Sequence, residues 1–135
     1  MADKTYLLEI VTPQKVLFSG RVLSFSAPGV EGGFQVLTLH APFLTMLSIG
    51  EVKVVQADGS TLRYATSGGF VEVRENKVLL LAETAELASV IDVSRAEAAR
   101  DRAKERLEKM EPETDVERAR SALRRAANRL KIAAS

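Results

Sequence analysis

Hydrophobic positions recur along the chain with two different periods, and the change between them falls near Ile91. Before it, short stretches alternate polar with apolar residues between turn residues, the pattern of strands whose successive side chains face opposite ways. Residues 6–11 make a β-rich run stopped by Pro13, and 15–18 a second run closed by Ser19-Gly20. Residues 21–26 alternate and break at Pro28-Gly29, and 51–56 and 60–65 alternate on either side of Asp58-Gly59. That dipeptide predicts a two-residue type I′ hairpin, whose central positions both need positive φ. Gly68-Gly69 leads into 70–73, and Glu75-Asn76 turns the chain into 77–81. Roughly eight to ten short strands at this spacing predict a flattened β-sandwich or barrel.

Beyond Ile91 the period is helical. Ala96, Ala99, Ala103, Leu107 and Met110 lie three or four positions apart and form a narrow seam of mainly small residues. Glu111-Pro112-Glu113 interrupts it, because the residue before a proline is driven out of the helical region. Thr114 and Glu117 predict a capping box for a second helix. Its seam is more regular: Val116, Ala119, Leu123, Ala126, Leu130 and Ala133. So short a loop makes the two helices antiparallel. Alanine lets them approach closely but buries little area, so at ~25 cal/mol per Å² the seam contributes on the order of a few kcal/mol against the ordering entropy of the hairpin. A weakly held hairpin, movable by a partner or a ligand, is the expectation. The chain thus divides into a β unit at 1–86 and a helical unit at 87–135.

Composition narrows the function classes. There is no Cys and only one His, which excludes a disulfide framework, a thiolate metal site and a two-histidine metal site. The start, Met1-Ala2-Asp3-Lys4-Thr5, lacks the basic and apolar stretches of a secretory signal, and no stretch approaches ~18 uninterrupted apolar residues. A soluble, cytoplasmic protein, at most peripheral to a membrane, is expected. The net charge of +1 conceals an asymmetry: 7 basic against 9 acidic residues in 1–88, and 12 against 9 in 89–135. From Arg118 onward there are six basic residues and no acidic one. A basic tail of this kind suits nucleic acid, an acidic partner or a phosphate ligand. No aromatic residue follows Phe70, which disfavours a nucleic-acid binder that stacks bases.

Catalytic chemistry finds little material. His40 lies in Leu39-His40-Ala41-Pro42 without a nucleophile elbow or patterned carboxylates, and reads as a turn or interface residue. No Gly-rich loop ends in Gly-Lys-Ser/Thr, and Gly29, Gly32 and Gly33 are expected to shape a tight turn. A β-sandwich enzyme is therefore disfavoured. The arginines say more. Arg95 and Arg102, seven apart, share one face of the first helix, and Arg125 and Arg129, four apart, share one face of the second. Folding the hairpin brings four forked phosphate-binding side chains toward one region, or else sets four ordinary charges on solvated faces. Asp92 opens the first helix and Glu86 precedes it.

Several segments resemble one family. Leu39-His40-Ala41-Pro42-Phe43-Leu44-Thr45 is similar to the His-Ala-Pro-Leu-Leu-Thr segment of ATP synthase epsilon subunits. Ser67-Gly68-Gly69-Phe70-Val71-Glu72-Val73 resembles their Gly-Gly-Phe-x-Glu-Val strand, and Leu81-Ala82-Glu83-Thr84-Ala85-Glu86 has the family's form. The order, spacing and total length carry the resemblance across the whole chain. It implies a ten-stranded β-sandwich followed by an antiparallel two-helix hairpin, in a non-catalytic rotor subunit that binds the gamma subunit and the c-ring. It also implies helices that either fold on the sandwich or extend along gamma to the alpha/beta catalytic head, where they restrain ATP hydrolysis. The location implied is the cytoplasmic face of the energy-coupling membrane. Some bacterial members bind ATP as a regulatory ligand through Ile/Leu-Asp-x-x-Arg-Ala, and Ile91-Asp92-Val93-Ser94-Arg95-Ala96 matches that motif. The family's preceding acid falls on Glu86 and its further arginines on Arg102, Arg125 and Arg129. The Gly- and Pro-rich turns around Glu31 and His40 are the expected c-ring contact. No metal and no nucleic acid are expected.

Overall fold

A computed structural model describes residues 4–37 and 42–134. Nine strands lead: β1 Tyr6–Val11, β2 Val16–Gly29, β3 Gly32–Val36, β4 Phe43–Leu47, β5 Gly50–Gln56, β6 Thr61–Thr66, β7 Gly69–Arg74, β8 Lys77–Ala82 and β9 Ala85–Leu87. A single 3₁₀ turn, Ala88–Val90, connects them to α1, Val93–Lys109, and α2, Val116–Ala134. The expected sandwich-then-hairpin architecture is present, with nine strands among the described residues instead of ten.

The break expected at Ser19-Gly20 is absent. Ser19 pairs with Glu9 and Gly20 with Leu8, so β2 runs on without interruption. Its first half pairs with β1, and its second half with β3, β5 and, at Gly29, with β4. Because β1 also pairs in parallel with β8, the series β1-β8-β7-β4-β2 closes on itself as a flattened barrel. Alternation fills the interior: Tyr6, Leu8 and Ile10 of β1 face Val22 and Phe25 of β2, Val71 and Val73 of β7, and Val78 and Leu80 of β8, all buried.

Glu75-Asn76 turns the chain as expected, and one turn assignment, at Asp58-Gly59, differs. The type I′ turn sits at Glu75-Asn76, with φ of 52° and 58°, between the paired residues Arg74 and Lys77. At Asp58-Gly59 only Gly59 has positive φ, at 88°. Gly59 N–H donates to the Gln56 carbonyl at 2.9 Å, and Gln56 N–H to the Ser60 carbonyl at 2.8 Å. These bonds make a three-residue loop with a bulge at Gly59. Asp58 accepts from the Ser60 N–H at 2.9 Å and the Ser60 hydroxyl at 2.6 Å, contacts made across the bulge.

In the hairpin, Ala96 and Ala103 of α1 and Ala119 and Ala126 of α2 are buried along the seam. Met110 leaves it: left-handed at φ 46°, it ends α1 with its N–H on the Arg106 carbonyl and stands 56% exposed. The cap of α2 is Asp115, whose Oδ1 accepts from the Arg118 N–H at 3.0 Å. Thr114 is occupied in the preceding turn, its N–H on the Glu111 carbonyl, so the expected Thr114–Glu117 box does not form. No helix among the described residues is long and apolar enough to cross a membrane.

Candidate functional site

Glu86 is set in place by β9, which pairs antiparallel with β6 so that Ala65 faces Glu86 and Tyr64 faces Leu87. The 3₁₀ turn then drops Ile91 into a small buried cluster with Ala65 and Ile132. With its side chain anchored there, the backbone leaves in an extended conformation at Asp92 (φ −79°, ψ 99°), which caps α1. Asp92 Oδ1 accepts from the Arg95 N–H at 3.0 Å, satisfying one of the free donors of the first turn.

The same turn contains Arg95 and Ala96 but no acidic residue. A guanidinium at the positive end of a helix gains nothing from the macrodipole, whereas an anion beside it interacts favourably with both. The end of α2 closes the other side. Arg129 donates through Nε to Glu86 Oε1 at 2.6 Å, and both side chains are about one-third exposed. The resulting cleft, about 360 Å³, is lined by Thr84, Glu86, Val90, Asp92, Arg95, Ala96 and Arg129. That volume lies within the usual range for small-molecule sites.

Five of the eight residues singled out from the motif and its arginines therefore meet in one cleft: Glu86, Asp92, Arg95, Ala96 and Arg129. Ile91 lies behind it as a packing residue. Arg102 is exposed two turns further along α1, and Arg125 is half-buried one turn before Arg129; neither is among the lining residues. Because the helices are antiparallel, both continue in the same direction away from the sandwich, by ~10 Å and ~6 Å respectively. Thr84 and Val90 were missed by sequence reasoning. No periodicity marks them, since they reach the cleft through the β8–β9 reversal and the 3₁₀ turn; Thr84 is held there by its hydroxyl, 2.5 Å from that of Ser67.

Glu31 lies in the turn between β2 and β3 and borders a depression of about 560 Å³ with Val30, Phe34, Phe43, Leu44, Met46 and Phe70. His40 lies outside the described residues. The depression opens onto the outer face of β4, β7 and β8. There the register aligns Met46 with Phe70 and Phe70 with Leu81, all about half exposed, with Leu44 beside Glu72. Contiguous exposed apolar surface of this kind makes the face a candidate contact surface. Among the described residues no group of three or more His, Cys, Asp or Glu is placed to hold a metal ion.

Two family descriptions match the chain: "ATP synthase, Delta/Epsilon chain, beta-sandwich domain" over residues 5–88, and "ATP synthase, Delta/Epsilon chain, long alpha-helix domain" over 90–134. The ATP synthase epsilon chain of Desulforamulus reducens is 47% identical over 130 residues, covering 96% of this chain and 98% of that protein. That of Pelotomaculum thermopropionicum is 55% identical over 109 residues, 81% of each. In fold the chain is similar to a chain of the Euglena gracilis mitochondrial ATP synthase (OSCP/F1/c-ring, rotational state 1), with TM-score 0.85 and 20% identity over 100% of this chain and 84% of that one. It is also similar to one in the central stalk/c-ring structure of the Tetrahymena thermophila enzyme, with TM-score 0.60 and 14% identity over 94% and 95%.

Proposed function

The chain belongs to the epsilon chain family of ATP synthases, a non-catalytic accessory subunit of that complex, and from this membership we propose a rotor subunit whose hairpin is a nucleotide-dependent brake on ATP hydrolysis. The observation that carries the nucleotide part is the convergence of Glu86, Asp92, Arg95, Ala96 and Arg129 on one cleft between β9 and the two helix ends. Arg95 and Arg129 receive the phosphates. Arg125 and Arg102 extend the row for an elongated polyphosphate, while Asp92 and Glu86 serve the ribose and base end. Ala96 and Val90 leave an apolar wall without bulk, suited to a base.

Docking of gamma is assigned to the apolar outer face built from Met46, Phe70 and Leu81, and the c-ring contact to the turn at Glu31 together with His40. The cleft is complete only while α2 lies on the sandwich and supplies Arg129, so a bound nucleotide favours the folded hairpin by RT ln(1 + [L]/Kd), ~2.7 kcal/mol at a hundredfold excess over Kd. When ATP is scarce the hairpin opens. Its second helix, which carries six basic residues after Glu117 and no acidic one, then meets acidic surface of the alpha/beta head. Calorimetric titration of the whole chain with ATP tests the site, and co-purification with gamma tests the assembly. A chain that takes up no ATP removes the nucleotide part, and one that fails to co-purify with gamma removes the rotor part.

A further inference from the structure

We propose that the Glu86–Arg129 ion pair is a weak, displaceable latch, an internal anion that steadies the folded hairpin without ligand and is exchanged for the phosphate of an arriving ligand. The inference rests on the nucleotide reading of the cleft and adds how that site is regulated.

The geometry assigns both halves of this role. Arg129 is the cleft guanidinium contributed by α2, and it already spends its Nε donor on Glu86 Oε1 at 2.6 Å. A phosphate seeking the same fork competes with a carboxylate fixed in β9, close by and always at high local concentration. The pair also spans the junction between the two units of the chain, since Glu86 lies on the sandwich and Arg129 on the last turns of α2. Beside it, Asn128 Nδ2 donates to the Gly50 carbonyl and Ile132 fills the pocket of Ala65 and Ile91. Only Arg129 of these three docking residues lines the cleft, so it alone couples docking to ligand.

Without ligand the carboxylate tethers α2, by less than a bound polyphosphate does. When a polyphosphate takes the guanidinium, the tether is replaced by the ligand's own bridge between α1 and α2, and the released carboxylate becomes an acceptor for a ribose hydroxyl. A bound polyphosphate thus supports docking more strongly than the internal pair, which raises the ligand concentration needed and still lets the hairpin open when ligand is scarce.

Glu86→Gln in the whole chain tests this, since glutamine keeps the β9 pairing and the side-chain length. Inorganic tripolyphosphate, which has no ribose or base, reports the anion subsite alone. Two results are expected together: without ligand, amide exchange in the last turns of α2 quickens about two- to fivefold, the range of a partly exposed ion pair; and tripolyphosphate binds tighter by a similar factor. Asn128→Ala is the comparison, quickening exchange without tightening tripolyphosphate. Unchanged exchange, or tripolyphosphate bound equally or more weakly by Glu86→Gln, overturns the latch. Failure of the parent chain to bind ATP counts instead against the nucleotide reading, and the exchange measurement, made without ligand, still decides whether the pair tethers α2.

Discussion

Asn128 on α2 donates through Nδ2 to the backbone carbonyl of Gly50 at 2.8 Å, although 78 positions separate them. With Ile132, 1% exposed among Ala65 and Ile91, this bond fastens the end of the hairpin to the sandwich. The fastening is small, and that suits an element that must be able to leave. Its loss should therefore be local. Ile132→Ala is expected to cost about 2–4 kcal/mol of docking, by removing three buried carbons and leaving a void. Hydrogen exchange should show α2 deprotected while β1, β7 and β8 keep their protection. Uniform loss across both units would mean that the hairpin and sandwich fold as one.

Arg125→Ala and Arg129→Ala should each weaken ATP binding by roughly tenfold or more, the worth of one charge-assisted hydrogen bond. Titration calorimetry separates their contributions. Arg129, which lines the cleft, should show the larger loss, and Arg125, one turn away, the smaller. Affinities equal to the parent's for both would remove the phosphate site.

Alkaline pH should loosen the sandwich through its tyrosines. Burial raises the Tyr6 and Tyr64 phenols above their ordinary value, so the folded state favours their neutral forms. A raised folded-state value means this contribution is fully present below the unfolded-chain pKa of about 10 and is lost as pH climbs above it. Tyr6 also donates its hydroxyl to the buried Val36 carbonyl at 2.5 Å. Tyr6→Phe should cost about 1–3 kcal/mol at neutral pH by leaving that carbonyl unpaired. Denaturant melts at pH 7 and pH 10.5 should also show a smaller alkaline loss in the variant.

Gly69→Ala should disable the sandwich. Gly69 has φ +144°, and a Cβ there would fall 2.1 Å from the Leu81 carbonyl oxygen, in the backbone of the neighbouring strand. Strain and overpacking act together, for an expected loss of about 3 kcal/mol or more. Gly33→Ala makes the control, because its nearest neighbour would be the Ala27 carbonyl oxygen at 3.9 Å. Thermal melting of the two variants checks the contrast.

Much of this protein was legible in its sequence, because alternation and helical spacing are local statements about which side of an element meets water. The strands of residues 6–11, 51–56 and 77–81, the helix capped by Asp92 and the alanine seams all follow from such patterns. The motif around Asp92 and Arg95 was legible only through its resemblance to the family's, while the local pattern gave the helix start at Asp92 and the shared arginine faces. What tertiary structure alone decided are the relations between distant segments. Ser19-Gly20 looks like a stop, yet Leu8 and Glu9 give it partners and β2 continues through it. Asp58-Gly59 looks like a type I′ turn, but a bulge satisfied by Ser60 wins, while Asn76 takes the left-handed position instead. Ile132 lies off the helix seam, and only the arrival of Ala65 and Ile91 makes it a core residue. Glu86 and Arg129 are 43 positions apart, and no periodicity connects a strand to a helix. Their meeting depends on how the hairpin seats on the sandwich, a matter of long-range packing that local spacing does not encode.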